Sequence, residues 1–420
     1  MAPILSSSSS VQLPTRTRSA STLEDYRWLT STDAQPWLVS PAANSGSLAA
    51  QVARLRSGLS PERTHLVLEQ IELRAKARAK FAAAERMFFA PQALEQATDE
   101  IVAAYKAQRF AARGKVFDLC CGIGGDMLAL AARGETVGVD RDPVMAILAE
   151  ANARTLLPEN HGDHHDVGRC EVQSCDVADV DVSACGAWHI DPDRRPAGRR
   201  TVLVDLHEPG PAVIDRILEQ NRAAAVMLAP AARMPPEWID SAELEWISRA
   251  GQCRQLVAWF GDLAHDAGGR RATVLVAAGP RSIVGLPGEE PPLAERIGRY
   301  LFEPDAAVLA AKLERQLAAE HALAAIAPGV AYWTGDRPIL DTALDCFAVR
   351  EVVPFRVPAL RAWLRSREIG TLEIKKRGVD LDPARLRREL NLAGPQSATL
   401  LVARIGKRVT AILADRVGAP

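Results

Sequence analysis

The chain has 420 residues, 51 Lys+Arg against 52 Asp+Glu, and 48% hydrophobic residues. That is an ordinary soluble globular composition, with length for two or three domains and a large core. No apolar run approaches the roughly 20 residues that span a bilayer, residues 1–20 lack the apolar stretch of a secretory signal, and seven Cys is too few and too odd a count for a disulfide scaffold. A reducing, cytoplasmic location and no membrane partner are therefore expected. The net charge of −1 is unevenly spread: residues 52–115 carry +5, residues 116–349 carry −14, and residues 350–420 carry +8. An acidic middle between basic flanks suggests an anionic partner bound by the ends.

Residues 1–20, with Ser6 to Ser10 in a row, read as disordered. Residues 21–50 hold Trp28 and Trp37 among Pro36, Pro41 and Gly46, and read as loop with one short helix. Ser60-Pro61-Glu62 is a helix start, with Ser at the N-cap and Pro at N1. The spacing of Leu66, Leu73, Ala77, Phe81, Ala84 and Phe88 predicts a helix to about residue 88, with Arg74, Lys76, Arg78 and Lys80 on its polar face. A second helix is expected over 91–112, with Leu94, Ala97, Ile101, Tyr105 and Phe110 on its stripe. The plain alternative to an RNA surface is an amphipathic pair packed on the next domain.

From residue 115 short apolar runs alternate with helical stretches. The runs are 116–119, 136–140, 170–177, 187–191, 225–228, 256–260 and 272–278, with helices expected over 125–133, 143–156 and 210–221. Such alternation predicts a mostly parallel sheet covered by helices on both faces. The short segment joining the last two runs predicts that they pair antiparallel. Three Pro and two Gly between 281 and 292 read as a linker. Beyond it we expect a helix over 304–325, a strand near 332–333, then strand 347–354, helix 358–369, strand 372–376, helix 382–390 and a strand pair at 399–404 and 408–414. This is a small α+β domain with a basic bias.

The clearest site signal is Asp118-Leu119-Cys120-Cys121-Gly122-Ile123-Gly124-Gly125-Asp126, following a strand and opening a helix. Glycines let backbone approach a ligand, and a helix start offers free N–H groups. A dinucleotide fingerprint would need Gly where Met127 stands, so that reading fails. An acid before a Gly-x-Gly-Gly loop better suits the methionine part of S-adenosylmethionine (SAM), with Asp118 toward its ammonium. Asp140 ends the second run and suits the ribose hydroxyls; Asp176 ends the third and suits the adenine amine. Each could alternatively be a solvated strand-end acid.

These residues resemble the class I SAM-dependent methyltransferases over about 115–280. The resemblance implies a seven-stranded Rossmann-like sheet and a cofactor site of Asp118, Cys120, Gly122, Gly124, Asp140 and Asp176. Cys120 departs from the family's usual first glycine. Asp191-Pro192-Asp193-Arg194-Arg195 matches the first half of the Asp/Asn-Pro-Pro-aromatic stretch of enzymes that methylate base amines. Asp191 and the Pro192 carbonyl would accept from the amine, and Arg194 would stack in place of the aromatic. Alternatively Arg194, Arg195, Arg199 and Arg200 pair with nearby acids.

The chain is also similar to bacterial proteins that join a helical N-terminal region, a SAM methyltransferase core and a C-terminal THUMP-like α+β domain. Glu85–Phe89, Leu94–Thr98 and Lys376–Asp380 with Asp382-Pro383 carry that similarity. The group's Lys on the fifth strand is replaced by Met227, so its role does not transfer. The implied organisation is a helical region over 21–114, the core over 115–280, a linker over 281–292 and the THUMP-like domain over 293–420. RNA is the partner the resemblance implies. Lys375, Lys376, Arg377, Arg387, Arg388, Lys407 and Arg408 are the candidate phosphate contacts, unless they form only a solvated face.

His161, His164 and His165 with Cys170, Cys175 and Cys185 fit no zinc spacing, and no metal is expected. Cys120 and Cys121 lie in the wrong place for an attacking thiolate. Three functions stay open: methylation of an exocyclic base amine in RNA, methylation of a protein or small molecule, and RNA binding without catalysis.

Overall fold

The computed structural model describes residues 21–39, 47–157, 168–195 and 201–418. The Ser-rich start, His161, His164, His165, Arg199 and Arg200 lie outside the described residues. In the N-terminal region, residues read mostly as loop form helices α1 (Leu23–Leu29) and α2 (Gln35–Val39) and the start of α3 (Leu48–Leu55). Thr22 and Asp25 close a reciprocal capping box on α1.

Helix α4 (Pro61–Ala77) starts on the Ser60 cap as expected but ends before residue 88. The chain turns after it so that Phe81, Met87, Phe88 and Phe89 all enter the core. Two of the four cations assigned to the polar face are used internally. Arg74 is buried, donates Nε to the Met87 carbonyl at 2.9 Å, and lies over the Phe88 ring. Lys80 donates Nζ to the carbonyls of Leu94, Glu95 and Ala97 at 2.7–2.9 Å, closing the C-terminus of α5 (Pro91–Gln96). The second expected helix is therefore two, α5 and α6 (Glu100–Ala107), because Ala97 is extended and Asp99 caps a new start. The buried face of α6 is Val102, Ala103, Lys106 and Ala107, whereas the predicted stripe residue Ile101 is 45% exposed.

The core then runs β1 (Val116–Leu119), α7 (Gly125–Ala131), β2 (Thr136–Val139), α8 (Pro143–Leu156), β3 (Cys170–Gln173), β4 (Ala187–Ile190), α9 (Pro211–Gln220), β5 (Ala224–Leu228), α10 (Pro236–Ser241), β6 (Glu243–Arg249), β7 (Gln252–Phe260), β8 (Arg270–Val276) and β9 (Gly279–Gly285). The sheet has nine strands, ordered β3-β2-β1-β4-β5-β7-β6-β8-β9, not seven. Strands β6 and β9 escaped the reading. In β6, Glu243 and Glu245 interrupt the apolar run, yet both are buried, satisfied by Arg109, Arg271, Tyr105 and Thr273. The runs at 256–260 and 272–278 do not pair: β6 lies between them, antiparallel to β7 and parallel to β8. Strand β9 pairs antiparallel with β8, which takes residues 281–285 out of the expected linker.

β1 lies between β2 and β4, parallel to both. The strand order reverses between β1 and β4, and the cleft beyond their carboxyl ends is where open α/β sheets bind ligands. The N-terminal region packs beside this cleft through Asn152 of α8. That fully buried amide accepts from Phe88 N–H at 2.7 Å and donates to the carbonyls of Phe88 and Ile123.

The C-terminal region comprises β10 (Tyr300–Pro304), α11 (Ala306–Ala311), α12 (Glu314–Glu320), β11 (Ala324–Ala325), β12 (Trp333–Gly335), β13 (Leu344–Pro354), α13 (Val357–Arg365), β14 (Ile369–Arg377), α14 (Pro383–Leu390), β15 (Gln396–Ile405) and β16 (Arg408–Val417). The helix expected over 304–325 breaks at Lys312, which is left-handed at φ 57°. The seven strands are ordered β11-β12-β10-β13-β16-β15-β14, with β14 at an edge and parallel to β15. Ser248 donates to Asp305 at the start of α11, and Arg270 donates to the Ala311 carbonyl at its end. Apolar contacts run without a break from the core sheet through α11 to Trp333.

Candidate active site

The loop after β1 folds back on itself because Cys120, Gly122 and Gly124 take left-handed backbone, at φ 59°, 56° and 88°. Cys121 N–H donates to the Val139 carbonyl at 2.9 Å and Gly122 N–H to Asp140 Oδ2 at 2.8 Å. A Cβ on Gly122 would meet no atom within 4 Å, so the backbone here faces open space. Gly124 instead caps α7, and a Cβ on it would stand 2.8 Å from Met127. Met127, the residue that broke the dinucleotide pattern, fills the gap between α7 and β2. A Cβ on Gly138 would lie 2.3 Å from its sulfur.

Above the loop is a cavity of about 760 Å³. Of the predicted cofactor residues, Asp118, Cys120, Gly122, Asp140 and Asp176 line it; Gly124 lies behind the lining. Asp191, Pro192 and Arg194 line it too, as do residues 90–93 and 96–98. The N-terminal region thus contributes wall to the cavity. Burial raises the Asp140 carboxyl above the usual range, opposed by the N–H groups of Asp142 and Gly122. Asp176 accepts from Ala178 N–H at 2.9 Å and starts a short 3-10 turn.

Beside the loop runs a buried polar relay that the sequence reading missed, and its members Asp118, Asp126 and His189 line the cavity. Asp118 Oδ1 is 2.7 Å from His189 Nδ1, and both residues are 1% exposed. A carboxylate only accepts, so Nδ1 carries the proton and Nε2 presents its lone pair. Lys106 Nζ lies 3.3 Å from that Nε2 and 2.8 Å from Asp126 Oδ1. Asp126 Oδ2 accepts from the Thr98 hydroxyl at 2.6 Å, which accepts from Gln255 at 2.8 Å. Lys106 also reaches the Met227 sulfur at 3.4 Å. Burial pushes the Asp118 carboxyl up, with His189 opposing. Burial would raise Asp126 as well, but Lys106, His189 and Thr98 outweigh it and hold the carboxyl low. Two signals for the relay stood in the sequence: a lone His inside an apolar strand, and a Lys four residues after Val102 on a helix.

Asp191 follows β4, with its N–H on the Leu119 carbonyl. Its carboxylate takes no hydrogen bond from any described residue, and burial pushes it up to about 6, with Arg194 opposing. Arg194 Nη1 is hidden from solvent and unpartnered. Asp193 pairs through its backbone with Glu208 and accepts from Gln96 at 3.2 Å. Arg195 pairs with Glu95, one of the acid contacts weighed for this cluster. Burial pushes the thiols of Cys120 and Cys121 well above the usual range, so neither is a thiolate near neutrality.

The seven candidate phosphate contacts separate into two groups, and none lines the cavity. Lys375 and Arg377 are committed to Glu303, and Lys375 also to Asp345. Arg387 donates to the Leu372 carbonyl. The side chains of Lys376, Arg388, Lys407 and Arg408 are exposed and make no hydrogen bond or ion pair among the described residues, although Lys376 and Arg388 stand near enough to Asp382 to lower its carboxyl. Strand register brings Arg377 opposite Ala403 and Ile405 opposite Arg408, so Lys376, Lys407 and Arg408 share one end of the sheet. Among the described residues, one group could hold a metal ion: Glu320, His321 and Asp341. The Arg281 guanidinium bridges its two acids.

Residues 344–416 match the THUMP domain-like family. Two uncharacterised S-adenosylmethionine-dependent methyltransferases, from two strains of Mycobacterium tuberculosis, are each 33% identical over 323 residues, 76% of this chain and 85% of theirs. The crystal structure of a Porphyromonas gingivalis W83 protein described as a methyltransferase shares the fold at a TM-score of 0.72. It is 20% identical, and the alignment covers 94% of this chain and 98% of that one. No helix among the described residues is long and apolar enough to cross a membrane. The cavity suits the cofactor these names imply, because Asp118 Oδ2 is buried without a partner and can receive an ammonium. The open backbone at Gly122 and the acids at the ends of β2 and β3 complete the fit. The chain belongs to the S-adenosylmethionine-dependent methyltransferases.

Proposed function

We propose that the protein methylates an exocyclic amine of a base in RNA. The observation that carries this reading is the Asp191 carboxylate, unpartnered on the cavity wall beside Pro192 and Arg194. SAM supplies an electrophilic methyl group when bound. Asp118, Asp140, Asp176 and the backbone at Cys120 and Gly122 would hold it, with Gly124 shaping the loop from behind. Asp191 and the Pro192 carbonyl accept hydrogen bonds from the amine, which aims the nitrogen lone pair into the cavity. Rate enhancement is then chiefly proximity and alignment. Transfer would break the methyl group's bond to sulfur, leaving the neutral thioether, as the bond to nitrogen forms, and Asp191 would receive the amine proton and pass it to solvent. The Arg194 guanidinium plane offers the base a stacking surface.

The support for RNA is the THUMP domain-like segment together with the exposed cations Lys376, Arg388, Lys407 and Arg408. Such contacts attract phosphates and weaken with salt. Cytoplasmic RNA is the expected substrate pool. A second reading, methylation of a protein or small molecule, is favoured by the internal ion pairs of Lys375 and Arg377, which take them out of any phosphate surface.

The test is tritiated methyl transfer from SAM to total RNA of a strain lacking the gene. Incorporation into that RNA and not into wild-type RNA supports the proposal. Incorporation only into protein or small molecules favours the second reading, and none into any acceptor favours RNA binding without catalysis.

A further inference from the structure

We propose that Lys106 and His189 are positioning residues for the cofactor: they fix the Asp118 carboxylate so that the imidazole takes one oxygen and the other is left without a protein partner, for the cofactor's ammonium. The inference concerns cofactor binding alone and is independent of the acceptor.

Asp118 has two oxygens in different situations. Oδ1 accepts from His189 Nδ1, and Oδ2 is buried with no partner in the protein. A carboxylate free to rotate would exchange them. The imidazole prevents this only while Nδ1 keeps the proton, and that tautomer is set by a donor at Nε2. Lys106 is that donor. The helix that carries it belongs to the N-terminal region, so this region supplies a charge as well as a wall. Lys106 also compensates Asp126, whose second oxygen Thr98 fixes, and Thr98 in turn is held by Gln255 of β7. The charged and titratable groups facing the relay are Asp118 of β1, Asp126 of α7, His189 of β4, Lys106 of α6, Asp191 after β4, Asp140 after β2 and the loop thiols Cys120 and Cys121, with the neutral Met227 of β5 beside them. One cation serves several carboxylates, which makes it the sensitive member.

The experiment is calorimetric binding of S-adenosylhomocysteine to the full-length protein between pH 6 and 9. Lys106→Met is expected to weaken binding about tenfold at pH 7. The loss should shrink as pH rises, because without the cation a higher pH is needed to ionise Asp118. Lys106→Arg should recover most of the affinity. His189→Asn, which keeps an N–H at the Nδ1 position, should bind better than His189→Gln, which does not; this pair decides the matter if Lys106→Met fails to fold. Equal affinity and an unchanged pH profile in a folded Lys106→Met protein, or equal binding by the two His189 variants, would overturn the proposal.

Discussion

Around the cavity Asp118, Asp126, His189 and Lys106 are all buried, and each is fixed by at least one charged or polar side chain. At the end of the C-terminal sheet the side chains of Lys376, Lys407 and Arg408 stand in solvent with no hydrogen bond or ion pair among the described residues. The same residue classes therefore do different work. Burial makes each charge costly unless partnered, so the partners dictate its orientation. Exposure leaves a charge free to attract an anion at long range but gives it no fixed geometry. Lys375 and Arg377 fall between these cases: they lie in the basic segment, yet Glu303 has drawn both into the fold.

Substitutions can break or sharpen this contrast. The largest effect is expected at Asp191. Asp191→Ala should lower methyl transfer at least about a hundredfold while S-adenosylhomocysteine affinity, read by calorimetry, changes little. Because the Asp191 carboxyl is raised to about 6, transfer should climb as pH rises through that value and level off above it. The ionised form accepts strongly from the amine and can take its proton; the protonated form keeps only a weaker carbonyl acceptor and cannot take the proton. A rate profile flat from pH 5 to 8 in the unaltered protein would remove Asp191 from this role.

Asp140→Ala comes next. It deletes the acceptor for Gly122 N–H and the carboxylate proposed for the ribose, and affinity should fall by roughly tenfold to a hundredfold. Gly138→Ala tests the packing under the loop. Its Cβ would overlap the Met127 sulfur, and overpacking of this kind costs about 1–3 kcal/mol of stability. Adding Met127→Ala should return part of the lost melting temperature; a double variant no more stable than Gly138→Ala would contradict the steric account. The smallest effects belong to the exposed cations. Lys407→Ala or Arg408→Ala should weaken RNA binding only a few-fold and reduce the slope of log affinity against log salt by about one. Lys375→Ala should alter stability and leave that slope alone.

The alternation of apolar runs made the parallel part of the core sheet legible, because both faces of such strands are buried and their sequences are continuously apolar. The Asp118–Asp126 loop was legible for a related reason: left-handed backbone, as at Gly122 and Gly124, favours glycine. Strand β6 was not legible, since Glu243 and Glu245 look like surface residues until Arg109 and Arg271 arrive from elsewhere in the chain. The stripe on α6 is predicted with Ile101 inward, because the residue four after Val102 is Lys106, and a Lys reads as a solvent residue until its buried partners arrive from elsewhere in the chain.

By itself, the sequence determined the alternating core, the glycine loop with its flanking acids, and a C-terminal segment rich in positive charge. These depend on neighbours along the chain: strand burial, glycine backbone freedom and local composition. Tertiary structure alone decided which charges serve the cavity, which hold the fold together and which remain in solvent. A charge is expensive in low dielectric and cheap in water, so its role is set by partners brought from distant segments. Lys106 meeting His189 and Asp126, and Lys375 meeting Glu303, are both decisions of that kind.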